Sequence, residues 1–208
     1  MSKIEDEFLW LARHSLRKRQ GEDTIRVTAI RPSLLGPVVA YEHGPIGPPP
    51  DTAFGAPTGE PPAEVILEGV MRVMQVRWRG GPPTPVKFDD ATWREPIARA
   101  FPGMFDEGGP ASWAGWRFLW AAGAEWIEDI GRPADWSCGQ TKEKFGTLRW
   151  YVYGSLTRRH HNVIRTLEII SGYTCEYCGG PGRLRKGGWA KVTCDAHAQG
   201  KKAVSYDD

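Results

Sequence analysis

Apolar residues recur at helical spacing near the start of the chain, where Ile4, Phe8, Leu11, Ala12 and Leu16 share one face. This predicts an amphipathic helix over 3–19, with Glu5, Asp6 and Glu7 in its first turn and Arg17, Lys18 and Arg19 in its last. That order suits the helix dipole, and Gly21 offers a stop. Two short strands follow, at Thr24–Ile30 and Pro37–Glu42. Leu67, Val70, Met71, Met74 and Trp78 form a stripe that predicts a helix over Ala63–Arg79, although its β-branched content leaves a strand open. A short helix is expected around Pro96–Phe101.

The strongest helical pattern spans 113–130. Trp113, Trp116, Trp120, Gly123, Ile127 and Ile130 step by threes and fours, with Ser112 as candidate N-cap and Gly131 as candidate C-terminal stop. A tryptophan stripe at this spacing reads as core rather than as a binding surface. The pattern then changes to alternation. Ser137–Glu143 and Thr147–Tyr153 read as a hairpin turning at Lys144-Phe145-Gly146. Leu148, Trp150 and Val152 fall on its packed face and Arg149, Tyr151 and Tyr153 on the other. A last helix is expected over Asn162–Ser171, with Asn162 as its cap.

Between these elements, Gly44–Pro62 carries seven prolines interleaved with glycines, so neither helix nor ladder can form there. The expected organisation is an N-terminal helix with short strands (1–43), a Pro/Gly-rich loop (44–62), an α+β core (63–171), a zinc module (172–199) and a tail (200–208). The fold class is α+β: a mixed N-terminal segment plus a helix–hairpin–helix unit that ends in a zinc ribbon or treble-clef-like module.

Composition adds two points. The net charge of +2 hides an asymmetry. Residues 140–202 hold twelve bases and four acids, whereas residues 1–139 hold fifteen bases and nineteen acids. Neither a secretory leader nor a membrane-spanning run is apparent, so a cytoplasmic location with no membrane partner is expected. A reducing compartment also turns the cysteines away from disulfides and toward metal.

Three of the four cysteines cluster. Cys175-Glu-Tyr-Cys178 is followed by a fifteen-residue insert that opens with Gly179-Gly180, and then by Cys194-Asp-Ala-His197. Three thiolates and an imidazole suit a tetrahedral Zn²⁺ ion, and two ligands two residues apart can grip one ion if the chain turns tightly between them. Gly179 and Gly180 are expected to supply that turn with positive φ. The insert, with Gly187-Gly188 at its middle, reads as a second hairpin. A redox pair at Cys175 and Cys178 would open a helix, which Gly179-Gly180-Pro181-Gly182 cannot do. The metal ligands are therefore Cys175, Cys178, Cys194 and His197. They bind one structural zinc ion, with no position left for a catalytic water. Cys138 reads as a small buried hydrophobe.

The stretch Lys142-Glu143-Lys144-Phe145-Gly146-Thr147-Leu148-Arg149-Trp150-Tyr151, the helix after it, and the Cys175/Cys178…Cys194/His197 knuckle resemble a family of phage and prophage proteins. These share a KEKFGxLRFY-like hairpin followed by a zinc knuckle. The resemblance covers about residues 113–199. It implies a phage or mobile-element setting and a zinc site, and it implies no activity.

No catalytic residues are assigned. The His160-His161-Asn162 run suggests nuclease chemistry, but the insert between the knuckles has no histidine, and a polar turn accounts for the run. Phosphate-binding loops, nucleophile elbows and metalloprotease motifs are lacking. Two binding functions remain. The first is a non-catalytic accessory protein that engages a host or phage protein, for example a defence factor. The second is sequence-tolerant nucleic-acid binding through Arg149, Arg183, Arg185, Lys186 and Lys191, with aromatic residues interleaved.

Overall fold

The computed structural model describes residues 3–49, 60–84, 86–87 and 89–205. Among the described residues, five helices and three two-stranded antiparallel ribbons make an α+β fold. The first helix, α1 (Lys3–Ser15), stops short of the expected Arg19. Lys18 takes a left-handed backbone (φ 69), which no helix continues through. Arg19 instead turns inward, donating to Glu60 Oε2 at 3.2 Å and to the carbonyl of Pro61 at 3.0 Å. Strands β1 (Arg26–Arg31) and β2 (Val38–Glu42) pair as a ribbon close to the expected positions. Of the Gly44–Pro62 loop, residues 50–59 lie outside the described residues.

Helices α2 (Ala63–Trp78) and α3 (Arg94–Ala100) follow, and α2 settles the helix–strand ambiguity of its β-branched run. The tryptophan-rich segment opens with a 3₁₀ turn at Ala114–Trp116, and the α-helix proper, α4, is Arg117–Asp129. Ser112 does not cap it. Its hydroxyl accepts the Trp120 indole N–H at 2.9 Å, so it serves a buried side chain instead. Gly131 does close the helix, at φ 90 with its N–H on the carbonyl of Glu128.

The hairpin β3 (Ser137–Lys144) and β4 (Thr147–Tyr153) pairs Lys144 with Thr147. Its loop is therefore Phe145-Gly146, both at positive φ (54 and 78), as a type I′ turn requires. Helix α5 (Arg158–Ser171) begins before Asn162. Thr157 and His160 form the cap: His160 Nδ1 accepts the Thr157 N–H at 2.9 Å, and Nε2 faces the carbonyl of Gly131 at 3.0 Å. The histidine run is thus the first turn of a helix, with one member tying α5 to the end of α4.

Helices α2, α4 and α5 pack on one another, α1 lies on α2, and the β3–β4 hairpin lies on α5. One apolar cluster runs from Phe8 to Ile170 and includes Leu11, Leu16 and Ile25 of the N-terminal segment. Trp116, Trp120, Ile127 and Leu148 are fully buried and Trp150 nearly so, which fulfils the core reading for the middle of the tryptophan stripe, while Trp113 and Ile130 at its ends are half-buried. Trp150 is held between rings, edge-on to Trp120 and Trp136 at 5.6 Å each and stacked on Phe105 at 5.2 Å.

Candidate metal centre

The chain leaves α5 through Gly172 and folds into a tight knuckle. Cys175 N–H donates to the carbonyl of Gly180, and Gly179 N–H to that of Cys175, both at 2.8 Å. Gly179 is at φ 74, the conformation expected of it. Gly180 is not among the positive-φ residues; its lack of a side chain matters instead because a Cβ would stand 3.3 Å from the Arg77 guanidinium. Strands β5 (Arg183–Arg185) and β6 (Lys191–Thr193) form the second hairpin, turning through Gly187-Gly188 as expected, and a 3₁₀ turn at Asp195–His197 delivers the last ligands.

This route brings Cys175, Cys178, Cys194 and His197 together, with all four ligand atoms within 4.8 Å of one another. His197 Nδ1 is 3.1 Å from Cys194 Sγ and 3.7 Å from Cys175 Sγ, and the Cys178 and Cys194 sulfurs are 3.9 Å apart. Atoms bound to one ion at about 2.0–2.3 Å and at tetrahedral angles lie about 3.5–3.8 Å from one another. The donor set therefore fits a single metal ion. The Tyr177 ring, inside the knuckle, stacks on His197 at 5.3 Å and fixes the imidazole plane. The sulfurs compete for charge: a hydrogen bond from Cys175 holds the Cys178 thiol down at about 5, while sharing that bond and burial push Cys175 up. Burial likewise raises Cys194. A divalent cation removes that conflict by drawing all three into the thiolate form.

The knuckle is fastened to the helical core at backbone level. Gly115 N–H donates to the carbonyl of Glu176 at 2.9 Å, and Trp116 Nε1 to that of Thr174 at 2.9 Å. The approach at Gly115 is so close that a Cβ there would fall 2.3 Å from the Cys175 carbonyl oxygen. Glu176 is fully buried, with one carboxylate oxygen accepting the Val192 N–H at 2.7 Å; burial raises its carboxyl to about 7. Beneath lies a buried ion pair. Arg77 of α2 donates to Glu7 of α1 at 2.9 and 3.2 Å and to the carbonyl of Cys178 at 2.8 Å. The Trp78 indole N–H completes the Glu7 carboxylate at 2.9 Å.

No family model, curated protein or solved structure matches this chain. The site is thus read from its own geometry. The five cations expected to meet nucleic acid are scattered in role. Arg185 is buried and engaged with Asp195, the carbonyl of Lys201 at 2.8 Å and that of Thr193 at 3.3 Å, so it cannot reach a phosphate backbone. Arg149 pairs with Glu168. Arg183 lies over the Trp10 ring at 4.7 Å and Lys191 over Trp113 at 4.6 Å. Arg183 and Lys186 are exposed on the hairpin. Cys138 is half-buried against the core, away from the cluster. The expected tail does not simply trail off: Val204 N–H donates to the carbonyl of Leu184 at 2.8 Å and Ala203 bridges Arg185. Among the described residues no helix is long and apolar enough to cross a membrane.

Sequence reasoning missed Glu7, Arg77, Gly115 and Glu176. Glu7 and Arg77 had a signal, because each falls within the buried face of its helix, among Phe8 and Leu11 or among Val70, Val73 and Met74. An acid and a base each placed on an apolar stripe imply a buried pair.

Proposed function

We propose that this chain is a non-catalytic, zinc-stabilised accessory protein that acts by binding another protein, in a phage or mobile-element setting with a host or defence factor as partner. The ion is Zn²⁺, because three thiolates and one imidazole at tetrahedral separations suit it best. Cys175, Cys178, Cys194 and His197 fill the four positions, so the ion supplies folding free energy rather than Lewis-acid chemistry. The order of knuckle, hairpin and second ligand pair is that of a zinc ribbon or treble clef.

The observation that carries the binding function is the set of large apolar side chains left in solvent. Leu34 is 98% exposed, Phe145 and Trp189 71% each, and Tyr153 65%. Aromatic anchors of this kind are enriched at protein interfaces. The alternative, nucleic-acid binding, loses Arg185 to the interior and Arg149 to an ion pair. The test combines metal analysis with a salt-titrated assay on single- and double-stranded nucleic acid and with chemical cross-linking in host lysate. One zinc per chain, negligible nucleic-acid affinity at physiological salt and a discrete cross-linked protein are expected. Tight, steeply salt-dependent nucleic-acid binding, or zinc-dependent hydrolysis of a substrate, would refute the proposal.

A further inference from the structure

Among the described residues, three non-glycine residues adopt positive φ: Lys18, Phe145 and Gln199. Two of them line the same recess, a space of about 450 Å³ between the end of α1, the β3–β4 turn, the last turns of α5 and the zinc hairpin. Such backbone conformations cost about 1 kcal/mol each for an ordinary side chain and recur at functional sites. Both residues look ill-chosen for the fold alone. Position 18 follows a helix end, where glycine is usual, yet it carries an exposed lysine. Position 145 is the first residue of a type I′ turn, where asparagine is favoured, yet it carries a phenylalanine 71% exposed.

The chemistry of the walls says what the recess takes. Ile169, Leu184 and Val192 line it alongside the Phe145 ring. On its rim, Glu168 is shared by two guanidiniums: Arg149 on one carboxylate oxygen and Arg165 on the other, the latter at 2.9 Å. One carboxylate between two arginines leaves a net positive charge at the rim, presented chiefly by the more exposed Arg165, since Arg149 also donates to Thr147 and to the carbonyl of Leu148. A second recess, of about 380 Å³, adjoins it and shares Arg17 and Lys18, adding Arg183. Together the two are lined by six arginine and lysine side chains against three glutamates; Arg19 is buried on Glu60, and Arg149 shares Glu168 with Arg165, so the excess positive charge is presented around Lys18, Arg165 and Arg183.

We propose that this paired recess receives an acidic segment of the partner protein, carrying Asp or Glu side chains next to an apolar residue that lies against Phe145. It rests on the protein-binding function proposed above. The mixture favours a peptide over a nucleic acid. Phe145, Ile169, Leu184 and Val192 offer a seat to an apolar side chain between the cations, and Glu22 opposes a strand with one charge per nucleotide, whereas intermittent carboxylates can avoid it.

The test uses the full, zinc-loaded chain and fluorescence anisotropy with three probes. These are a short labelled peptide alternating Glu with Leu, the same peptide with Gln for Glu, and a single-stranded DNA of matched charge. The Glu peptide should bind and weaken with salt; the Gln peptide should not bind. Lys18→Gly and Phe145→Asn each suit the left-handed backbone better than the native residue, so their thermal stability should hold or rise. Affinity for the Glu peptide should fall about three- to tenfold for Lys18→Gly and about tenfold or more for Phe145→Asn. Arg165→Glu should reduce it further. Unchanged affinity in the two stable variants overturns the proposal, as does equal binding of both peptides or preferential binding of the DNA. If the Lys18→Gly/Phe145→Asn double variant cross-links the same lysate protein as the wild type, the recess is not the docking site, although protein binding as a function survives. DNA binding with no cross-linked protein overturns both.

Discussion

Replacing Arg77 with methionine tests how the metal module is joined to the rest of the molecule. The Arg77 and Glu7 side chains are only 5% and 6% exposed, and the two hydrogen bonds between them are 2.9 and 3.2 Å long. Arg77→Met leaves the Glu7 carboxylate buried with one remaining donor, the Trp78 indole. Breaking one side of a buried pair costs about 3–5 kcal/mol. At a urea slope of about 2 kcal/mol/M that is a midpoint shift of about 1.5–2.5 M. The Glu7→Leu/Arg77→Met double variant removes both charges, and only the Trp78 indole and the Cys178 carbonyl lose partners. Its cost should be smaller than that of Arg77→Met alone. Zinc affinity behaves differently. The Arg77 bond to the Cys178 carbonyl is lost in the single and the double variant alike, so both should bind zinc about ten- to a hundredfold more weakly in competition with a chromogenic chelator. A double variant as unstable as the sum of the two single ones would show that the charges do not act as a pair. Native zinc affinity in Arg77→Met would show that α2 does not hold the knuckle.

The metal itself should be one zinc per chain by elemental analysis, and chelation or Cys178→Ser should abolish hydrogen-exchange protection over residues 173–199; protection that survives chelation would rule out a structural ion. Gly115→Ala inserts a methyl 2.3 Å from the Cys175 carbonyl oxygen, so it should destabilise the fold by about 1–3 kcal/mol and loosen the zinc, as read by urea melts and chelator competition. His14 provides a pH signature. Burial lowers its pKa, so its contribution is complete above the unfolded value of about 6.5 and is lost as pH falls below it, when the unfolded chain protonates first. Urea midpoints from pH 7.5 downward should therefore decline less steeply in His14→Gln than in the wild type.

Much of this was legible in the sequence because two periodicities are strong. Helix α4, the β3–β4 and β5–β6 hairpins and the clustering of Cys175, Cys178, Cys194 and His197 follow from spacing and turn chemistry, whereas only the fold decides α2 between helix and strand. The failures share a cause. Ser112, Asn162 and Arg17–Arg19 are read from local preferences; a partner further along the chain wins at Ser112 and Arg19, and a stronger local cap wins at Asn162. Ser112 serves the Trp120 indole, Thr157 with His160 outcompetes Asn162 as a cap, and Arg19 is pulled toward Glu60 and Pro61. The basic run misled for the same reason. A sequence counts charges, but only the fold reveals that Arg185 is enclosed and that Arg149 answers to Glu168.

The bond from Arg77 to the Cys178 carbonyl joins two parts of the chain that are synthesised far apart in time. Glu7 and Arg77 leave the ribosome long before the knuckle does, and they can pair and collapse with α1 and α2 while the tail of the message is still being read. The knuckle then has to find a surface that already exists, and with the proposed zinc as its staple it would lock there only after capturing that ion. Metal scarcity would thus act on finished chains rather than on nascent ones. It would leave a formed helical body with an uncovered face around Gly115 and Trp116, the kind of surface that cellular proteases recognise. Abundance of the protein in the cell should then track zinc supply through degradation, with synthesis unchanged.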